Sequence, residues 1–393
     1  MNEVYVVSAV RSAIGAFGGA LRDIAPGKLG AIVGREAIGR SGLAAEEIGL
    51  AVFGMVLTTE PADAYISRVA AIGAGMPVAS PAFTVNRLCG SGLQAILTAA
   101  QSLMLGETEI ALAGGIEVMS RAPFFAPDLR WGRKMGDSRV IDGLNGALTD
   151  PFNHILMGVT AENVARQHGI DRDQQDALAV LSQNRAAAAI AEGRFEGQIV
   201  PIEVSRGRER IMFAVDEHVR GQTTAGELAK LRPLFAPDDG TVTAGNSSGI
   251  NDGAAAVVLA TGRAVARRGL RPLARLVASG HAGVDPAFMG LGPIPATRAA
   301  LARSGLTVAD LDVIESNEAF AAQACAVSAE LGFDPVKVNP NGSGISLGHP
   351  VGATGAIITV KLLHEMQRGQ GRHGLATMCI GGGQGIAAIF ERV

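Results

Sequence analysis

Short runs of β-branched residues alternate along this chain with longer Ala-, Leu- and Gly-rich segments of helical period. This alternation is typical of an α/β fold, in which helices cover both faces of a sheet. The pattern predicts strands at 4–10, 51–53, 110–113, 257–260, 273–278, 313–315 and 376–380. It predicts helices at 28–40, 91–105, 298–304, 319–331 and 354–368. A layered α/β protein is therefore expected.

A weak internal repeat divides the chain. Arg-Ser-Gly-Leu at 40–43 recurs at 303–306, and Val-Asn at 85–86 recurs at 338–339, with Gly-Ser-Gly following each pair at 90–92 and 342–344. Chance similarity in a Gly/Ser-rich chain is one explanation, and two duplicated halves are the favoured one. Residues 121–244 hold the one tryptophan and several polar runs and have no repeat partner. They are predicted to be a large insertion, of the kind that forms lids or binding loops.

Composition excludes several classes of protein. Lys plus Arg is 34 and Asp plus Glu is 37, whereas a non-specific nucleic-acid binder carries a basic excess. No apolar run reaches the roughly 18 residues of a membrane span, and a strand predicted from residue 4 leaves no room for a signal peptide. Three cysteines cannot form a disulfide framework. We expect a soluble cytoplasmic protein without nucleic-acid or membrane partners.

Glycine is abundant, with 52 residues, and it clusters beside three potential catalytic side chains. The first is Cys89, in Leu-Cys-Gly-Ser-Gly, where a strand-like segment meets the helix predicted at 91–105. A thiol at a helix N-terminus is stabilised as the thiolate, the form that attacks carbonyls. Gly90 and Ser91, which follow it, are expected to allow a sharp turn and close approach of a substrate. The alternative is an inert buried cysteine, which is a common environment for free thiols.

The second is His349, in Gly-His-Pro, within a glycine-rich loop that precedes the last predicted helix. A histidine held there can act as a base or a hydrogen-bond donor. The loop does not match a phosphate-binding motif, because it lacks a Gly-Lys-Ser/Thr ending and Leu347 replaces the third glycine of the dinucleotide fingerprint. A purely structural histidine is the alternative.

The third is Cys379, near the end of a predicted strand and followed by glycines at 381–383. Backbone N–H groups exposed by such a turn are suitable donors to an oxyanion. The alternative is an ordinary strand-terminal turn.

A fourth motif, Asn-Glu-Ala-Phe, begins at Asn317 after the strand predicted at 313–315. The position is that of a helix N-cap, so capping is the alternative to a functional role for Asn317. Cys325 lies further along this helix among Ala and Val and is assigned to the core.

The hydrolase pattern Gly-x-Ser-x-Gly occurs at 245–249 and at 344–348. The first copy precedes an apolar strand and the second has no preceding strand, so neither has the strand–turn–helix context that a nucleophilic serine requires. A serine hydrolase is therefore disfavoured.

Together, the four motifs in this order resemble the thiolase family, and the match extends over essentially the whole chain. The resemblance implies a five-layered α-β-α-β-α fold made from two similar halves with an inserted loop domain. The corresponding boundaries are 1–120 with 245–270 for the N-terminal half, 121–244 for a coenzyme A-binding loop domain, and 271–393 for the C-terminal half.

The resemblance also implies roles for individual residues. Cys89 matches the nucleophile that carries the acyl group, and His349 matches the base that activates it. Cys379 matches the acid/base that moves the α-proton of the second acyl-CoA. Asn317 matches the residue that positions a water in one oxyanion hole, and the N–H groups of Cys89 and Gly381 match the other hole.

Binding residues follow in the same way. Ser248, Arg220 and Leu231 match contacts to coenzyme A, while Met157, Met289 and Phe320 match the lining of the acyl pocket. The chain departs from many acetoacetyl-CoA-forming thiolases at Leu156, where those enzymes carry a histidine. This loss of a polar group argues against strict acetoacetyl-CoA specificity.

The resemblance thus predicts an acetyl-CoA C-acyltransferase, similar to bacterial β-ketothiolases of broad chain length that serve polyhydroxyalkanoate synthesis or fatty-acid degradation. Coenzyme A and acyl-CoA are expected as substrates, with no permanently bound cofactor or metal, and a homotetramer is expected by analogy. The alternatives are a decarboxylating ketoacyl synthase, which lacks a second catalytic thiol equivalent to Cys379, and an acyl-CoA-binding protein without turnover.

Overall fold

The computed structural model describes residues 2–393, which form a mixed sheet covered by helices on both faces. The strands are β1 (Val4–Ser12), β2 (Gly15–Ala16), β3 (Leu50–Gly54), β4 (Ala82–Val85), β5 (Ile110–Val118), β6 (Phe124–Phe125), β7 (Ile141–Asp142), β8 (Ile199–Val200), β9 (Ile202–Arg206), β10 (Glu209–Phe213), β11 (Asn251–Thr261), β12 (Ala274–Gly283), β13 (Val313–Ser316), β14 (His373–Ile380) and β15 (Gln384–Arg392). The helices are α1 (Pro26–Ser41), α2 (Ile66–Gly73), α3 (Ser91–Leu105), α4 (Gly143–Ala147), α5 (Met157–His168), α6 (Arg172–Ala191), α7 (Ala225–Leu228), α8 (Gly262–Arg268), α9 (Pro293–Ser304), α10 (Ala321–Leu331), α11 (Gly344–Leu347) and α12 (Val351–Gly369).

The strand order is symmetric about its centre. The main path runs β13-β14-β15-β12-β1-β11-β5-β3-β4. Moving outward from the β12–β1 junction, the strands are β12, β15, β14 and β13 on one side and β1, β11, β5 and β3 on the other, with β4 added beyond β3. Only two residue pairs, Tyr5–Arg275 and Val6–Ala274, form the β1–β12 ladder that joins the sides.

The repeated Arg-Ser-Gly-Leu segments adopt the same local structure. In each, the serine side chain of the last helical turn donates to the carbonyl three residues earlier, at 2.6 Å for Ser41 and 2.9 Å for Ser304. Each serine oxygen also accepts the N–H two residues later at 3.2 Å. Gly42 and Gly305 then end α1 and α9 with φ of 75° and 71°. The shared helix endings support duplication over chance.

Two helices form the central layer of the molecule. Helices α3 and α12 pack against each other, and their side chains are almost entirely buried. Helix α3 contacts β3 and β5, while α12 contacts β11, β5, β13 and β14. Helices α1 and α2 cover one outer face, and α9 and α10 lie on the opposite side. The predicted five-layered α/β arrangement is confirmed.

The expectation that no apolar segment reaches the length of a membrane span is wrong by length and composition, because Leu88–Leu105 is long and apolar enough. It contains α3, and the packing of α3 against α12 and the sheet identifies it as a core helix.

The segment 121–244 is tied to β1 by a buried ion pair. The Arg11 guanidinium binds the Asp216 carboxylate in a bidentate manner at 2.7 and 2.9 Å, and its Nε donates to Gln198 at 2.7 Å. Arg11 also lies over the Phe195 ring, 4.9 Å from its centre. All of these partners belong to the segment, so a charged side chain inside the body holds it in place.

Most predicted elements agree with the structure, but the starts of four predicted helices differ from it by two to five residues. Helix α3 spans the predicted residues, whereas α9 begins at Pro293, five residues before the predicted start, because proline is well suited to a first helical turn. Helix α10 begins at Ala321, with Phe320 in the N-cap position. Asn317 is therefore not an N-cap, and the capping interpretation of that residue is wrong.

Candidate active site

Cys89 lies in a tight turn between β4 and α3. Leu88, directly before it, has a left-handed φ of 47°, which is unfavourable for a branched side chain. The Ser91 hydroxyl holds the turn: its oxygen accepts the Arg87 N–H at 2.8 Å, and it donates to the Leu88 carbonyl at 2.7 Å. Strain of this kind is found where a side chain must point in a particular direction.

The Cys89 thiol is half-buried and lies close to two backbone donors. Burial raises its pKa, the N–H groups of Gly381 and of Cys89 itself oppose this effect, and the charge of Glu117 adds to it. The net direction is upward, so burial outweighs the N–H groups, which favour the thiolate. Because both N–H groups converge on the sulfur, they are also placed to bind an oxygen attached to it.

Cys379 lies close to Cys89 from the other half of the chain. It is fully buried in β14 and contacts Met289 and Ala319, with Met157 and Phe320 packed beside them. Burial raises the pKa of Cys379, and negative charge on Cys89 raises it further. The two thiols therefore interact electrostatically across the junction of the halves.

His349 is held as a neutral imidazole with a defined tautomer. Its Nδ1 lies 2.6 Å from the Thr354 hydroxyl oxygen, and that hydroxyl donates to the Pro350 carbonyl at 2.9 Å. Since the hydroxyl proton is engaged there, Nδ1 carries the imidazole hydrogen and Nε2 carries the lone pair. Nε2 faces Asn317 Nδ2 at 3.5 Å. Burial lowers the pKa of His349 to about 4, which leaves Nε2 available as a base at neutral pH.

Asn317 lies in the loop between β13 and α10 and is fully buried. Its N–H donates to the Thr377 carbonyl at 3.0 Å, which fixes the loop to β14. Its Nδ2 faces His349, while its Oδ1 has no hydrogen-bond partner among the described residues. A buried amide of this kind is suited to hold a water or a substrate oxygen beside His349.

Glu117 is a buried carboxylate that sequence reasoning missed. Its oxygens accept the N–H groups of Val56 and Leu57 at 3.1 Å and of Gly352 at 2.8 Å. It thus joins the loop after β3 to the first turn of α12, three residues from His349. Burial raises the pKa of Glu117 to about 8, and the three N–H groups oppose this shift. The available signal was a lone acidic residue in the otherwise apolar segment that forms β5.

The predicted acyl-pocket residues lie together around the two thiols. Met157, with Leu156 at its N-cap, begins α5, and its sulfur would lie 3.4 Å from a side chain placed at Gly381. Phe320 is fixed by an edge-to-face contact with Phe235, with ring centres 6.4 Å apart. Met289 is buried beside Cys379. These contacts create an apolar surface next to the reacting groups.

The predicted coenzyme A residues are only partly brought together. Arg220 and Leu231 line one surface groove of about 540 Å³. The rest of its lining is Gly221, Gln222, Thr223, Glu227 and Leu228. Ser248 is not among these lining residues, and its N–H donates to the Ala319 carbonyl at 2.9 Å, beside Cys379. Ser248 therefore lies next to the cluster around Cys379 and not in the groove.

The serines of the hydrolase pattern are engaged in structural hydrogen bonds. Ser247 donates to the Thr243 carbonyl at 2.7 Å. Ser346 is fully buried and bonds the Ser182 hydroxyl at 2.8 Å.

In residues 2–393, no group of three His, Cys, Asp or Glu side chains is placed to hold a metal ion.

Family models decide the relationship. The model described as thiolase, N-terminal domain, matches residues 4–263, and the model described as thiolase, C-terminal domain, matches residues 270–392. The chain belongs to the thiolase family. The acyltransferase predicted from the four motifs is thereby confirmed at the level of the family.

Individual relatives agree with this assignment. The β-ketothiolase BktB of Cupriavidus necator is 62% identical over 393 residues, with both chains covered completely. The crystal structure of Bacillus anthracis acetyl-CoA acetyltransferase matches with a TM-score of 0.98 and 44% identity, covering 100% of this chain and 99% of that one. Human mitochondrial 3-ketoacyl-CoA thiolase in complex with CoA matches with a TM-score of 0.96 and 42% identity, covering 100% and 98%.

Proposed function

We propose that this thiolase condenses two acyl-CoA molecules, or cleaves a 3-oxoacyl-CoA with coenzyme A, through an acyl group carried on Cys89. The observation that carries the proposal is the convergence of two N–H donors on the Cys89 thiol, beside a second thiol at Cys379. Covalent catalysis of this kind divides a difficult transfer into two easier steps.

In the first half-reaction, His349 Nε2 removes the proton of Cys89, and the sulfur attacks the carbonyl carbon of acetyl-CoA. The oxyanion of the tetrahedral intermediate accepts hydrogen bonds from the N–H groups of Cys89 and Gly381. A donor of this type contributes about 3–4 kcal/mol to the transition state. Coenzyme A leaves as the thiol, with the proton that His349 had taken, and the acetyl group remains on Cys89.

In the second half-reaction, the Cys379 thiol passes its proton to His349, and the resulting thiolate removes the α-proton of another acyl-CoA. The enolate oxygen accepts hydrogen bonds from the protonated Nε2 of His349 and from a water held at Asn317, and the α-carbon attacks the thioester on Cys89. The product is a 3-oxoacyl-CoA, and the Cys89 sulfur regains a proton from His349. An acylated Cys89 cannot carry negative charge, so one of the causes that raise the pKa of Cys379 is absent when Cys379 must act as a base.

For the substrate, we propose that the groove of Arg220 and Leu231 receives the nucleotide end of coenzyme A and that Ser248 contacts the pantetheine. The acyl chain then lies against Met157, Met289 and Phe320. Leu156 in place of a histidine favours chains longer than acetyl. In this proposal, side chains of the protein perform the proton and acyl transfers. Coenzyme A takes part as a substrate and not as a permanently bound cofactor.

In the cell, we propose a cytoplasmic enzyme that supplies polyhydroxyalkanoate synthesis or acts in fatty-acid degradation. A reducing compartment keeps Cys89 and Cys379 as thiols, which the reaction requires.

For the domains, we propose the N-terminal half at 1–120 with 245–270, the coenzyme A-binding insertion at 121–244 and the C-terminal half at 271–393.

For the assembly, we propose a homotetramer built as a dimer of dimers. Strand β4 is the last strand of the sheet path and exposes Phe83, so its free edge is available to a second copy. Seven large apolar side chains between residues 124 and 141 are also exposed, with Trp131 at 91%. An apolar surface of this size typically marks an interface.

The division of labour between the thiols tests the mechanism. We expect Cys379→Ser to accept an acetyl group from acetyl-CoA on Cys89 at a rate close to that of the unaltered enzyme. Its condensation rate should fall at least about 100-fold, since a hydroxyl is a far weaker acid than a thiol. Stopped-flow release of coenzyme A and product formation measure the two steps separately.

The matched variant Cys89→Ser should lose both steps. Normal condensation by Cys379→Ser would show that the proton carrier is another group. Binding of acetyl-CoA without any transfer in the unaltered protein would support the binding-protein alternative instead.

A further inference from the structure

Arg87, two residues before Cys89, spans the junction between the two halves of the chain. Its Nη1 donates to Gln94 Oε1 at 2.7 Å and contacts His281 Nδ1 at 2.7 Å. Its Nε and Nη2 both donate to Gln384 Oε1, at 3.3 and 3.2 Å. Gln94 belongs to α3 in the first half, whereas His281 and Gln384 belong to β12 and β15 in the second.

All three acceptors are neutral and oriented toward the guanidinium. Gln94 directs its oxygen to Arg87 because its Nε2 donates to Thr98 at 3.0 Å. Burial, with the charges of Arg87 and Arg303, lowers the pKa of His281, which leaves its Nδ1 as an acceptor. Among residues 2–393, Arg87 forms no ion pair with a carboxylate. A half-buried cation that is held only by neutral groups is unfavourable for stability. We therefore attribute the presence of Arg87 to the positioning of its neighbours.

The partners of Arg87 lie next to the two proposed oxyanion donors. Gln384 follows Gly381 by three residues, across a turn in which Gly382 and Gly383 have φ of 78° and 81°. Such a turn has little rigidity of its own because glycine has no side chain to restrict it. Arg87 therefore connects the turn that carries the Cys89 N–H with the turn that carries the Gly381 N–H.

We propose that Arg87 is a positioning residue that holds the N–H groups of Cys89 and Gly381 at the separation needed to bind one oxyanion. This inference rests on the proposed function, in which both groups bind the thioester oxygen. Arginine is suited to the task because its planar fork offers five donors in fixed directions, whereas lysine offers a single flexible charge.

The test compares two reactions of the same thiol. Acylation by acetyl-CoA requires the oxyanion donors, but alkylation by iodoacetamide forms no oxyanion. We expect Arg87→Met to acylate about 30-fold more slowly, which is part of the roughly 100-fold loss that follows removal of one donor. Its alkylation rate should stay within about threefold of the unaltered enzyme. The acylation rate of Arg87→Lys should lie between that of Arg87→Met and that of the unaltered enzyme.

Two further variants separate positioning from general damage. Gln384→Met removes only the anchor beside Gly381, so it should reproduce the loss, and the double variant with Arg87→Met should be no slower than the single ones. The control is Arg303→Met, which removes a neighbouring arginine that donates to the Ser279 carbonyl at 2.8 Å, and it should leave both rates unchanged.

Normal acylation by Arg87→Met, or equal losses of acylation and alkylation, would overturn the proposal. If the unaltered enzyme is never acylated on Cys89, the proposed function itself fails, and this result is distinct from either of those outcomes.

Discussion

At the scale of single residues, the resting state of the site is governed by burial. Burial raises the pKa of Cys89 and lowers that of His349 to about 4. We therefore expect a neutral thiol and a neutral imidazole in the resting site. In the proposed mechanism, proton transfer then accompanies attack on the substrate, without a preformed thiolate–imidazolium pair.

Alkylation of Cys89 by iodoacetamide as a function of pH tests this state. We expect the half-maximal rate on the alkaline side of an ordinary thiol, because only the thiolate reacts. Glu117→Gln should move the profile to lower pH, since the charge of Glu117 disfavours the thiolate. The control Glu109→Gln changes an exposed carboxylate paired with Arg263 and Arg267 and should leave the profile unchanged. A rate that is already constant below pH 7 would contradict the neutral pair.

The reacting side chains were predictable from sequence, but their partners were not. Cys89, His349 and Cys379 each lie in a short glycine-containing motif that can be recognised locally. Thr354, Glu117 and Gln384 gain their roles only through contacts that folding creates, such as the bond between Glu117 and Gly352, which are 235 residues apart. Pairing across such a distance leaves no local pattern.

At the scale of helices and strands, glycines allow close contact in the central layer. A side chain at Gly92 of α3 would lie 2.7 Å from the Ala356 nitrogen of α12, and one at Gly115 of β5 would lie 2.8 Å from the Ala353 Cα. Gly92 is therefore required by helix packing. It admits the backbone of α12, and this positions the loop of His349 close to Cys89.

Gly92→Ala tests this packing. Because the new methyl group meets backbone atoms that cannot rotate away, we expect the free energy of unfolding to fall by at least about 2 kcal/mol. The control Gly39→Ala lies in α1 with open space around it and should be neutral or stabilising by up to about 1 kcal/mol. Denaturant unfolding measures both. Equal free energies of unfolding for the two variants would show that α3 and α12 can move apart without loss of stability.

The elements were predicted well where a strong local pattern ends at a clear signal. Helix α3 ends at Gly106, which takes a left-handed φ of 81°. Strand β5 was predicted too short, because Gly114 and Gly115 weaken the strand pattern. In the structure β5 pairs with β11 on one side and β3 on the other, and this pairing overrides the local preference.

At the scale of the whole molecule, the repeat visible in the sequence corresponds to the symmetric strand order. The interior of the segment 121–244 was not predicted, because its short strands and turns depend on contacts such as the one between Arg11 and Asp216. The scarcity of aromatic residues agrees with a central layer in which helices meet at glycine and alanine.

The exposed apolar surface at 124–141 leads to a prediction about assembly. We expect the protein to sediment at four times its chain mass of 40.2 kDa. The double variant Trp131→Asp with Met135→Asp should sediment as a dimer, since charged side chains are costly to bury in an apolar interface, and its acylation rate should be retained. The control Arg210→Asp alters an exposed residue outside this surface and should remain a tetramer. A double variant that also remains a tetramer would place the interface elsewhere.

The most direct test of the account is to mix the protein with excess acetyl-CoA and to measure coenzyme A release and intact mass on the millisecond-to-second scale. We expect a burst of one coenzyme A per active site, together with the mass of one acetyl group located on the peptide that contains Cys89. Absence of the burst, or an acetyl group located on a residue other than Cys89, would contradict the acyl-cysteine mechanism.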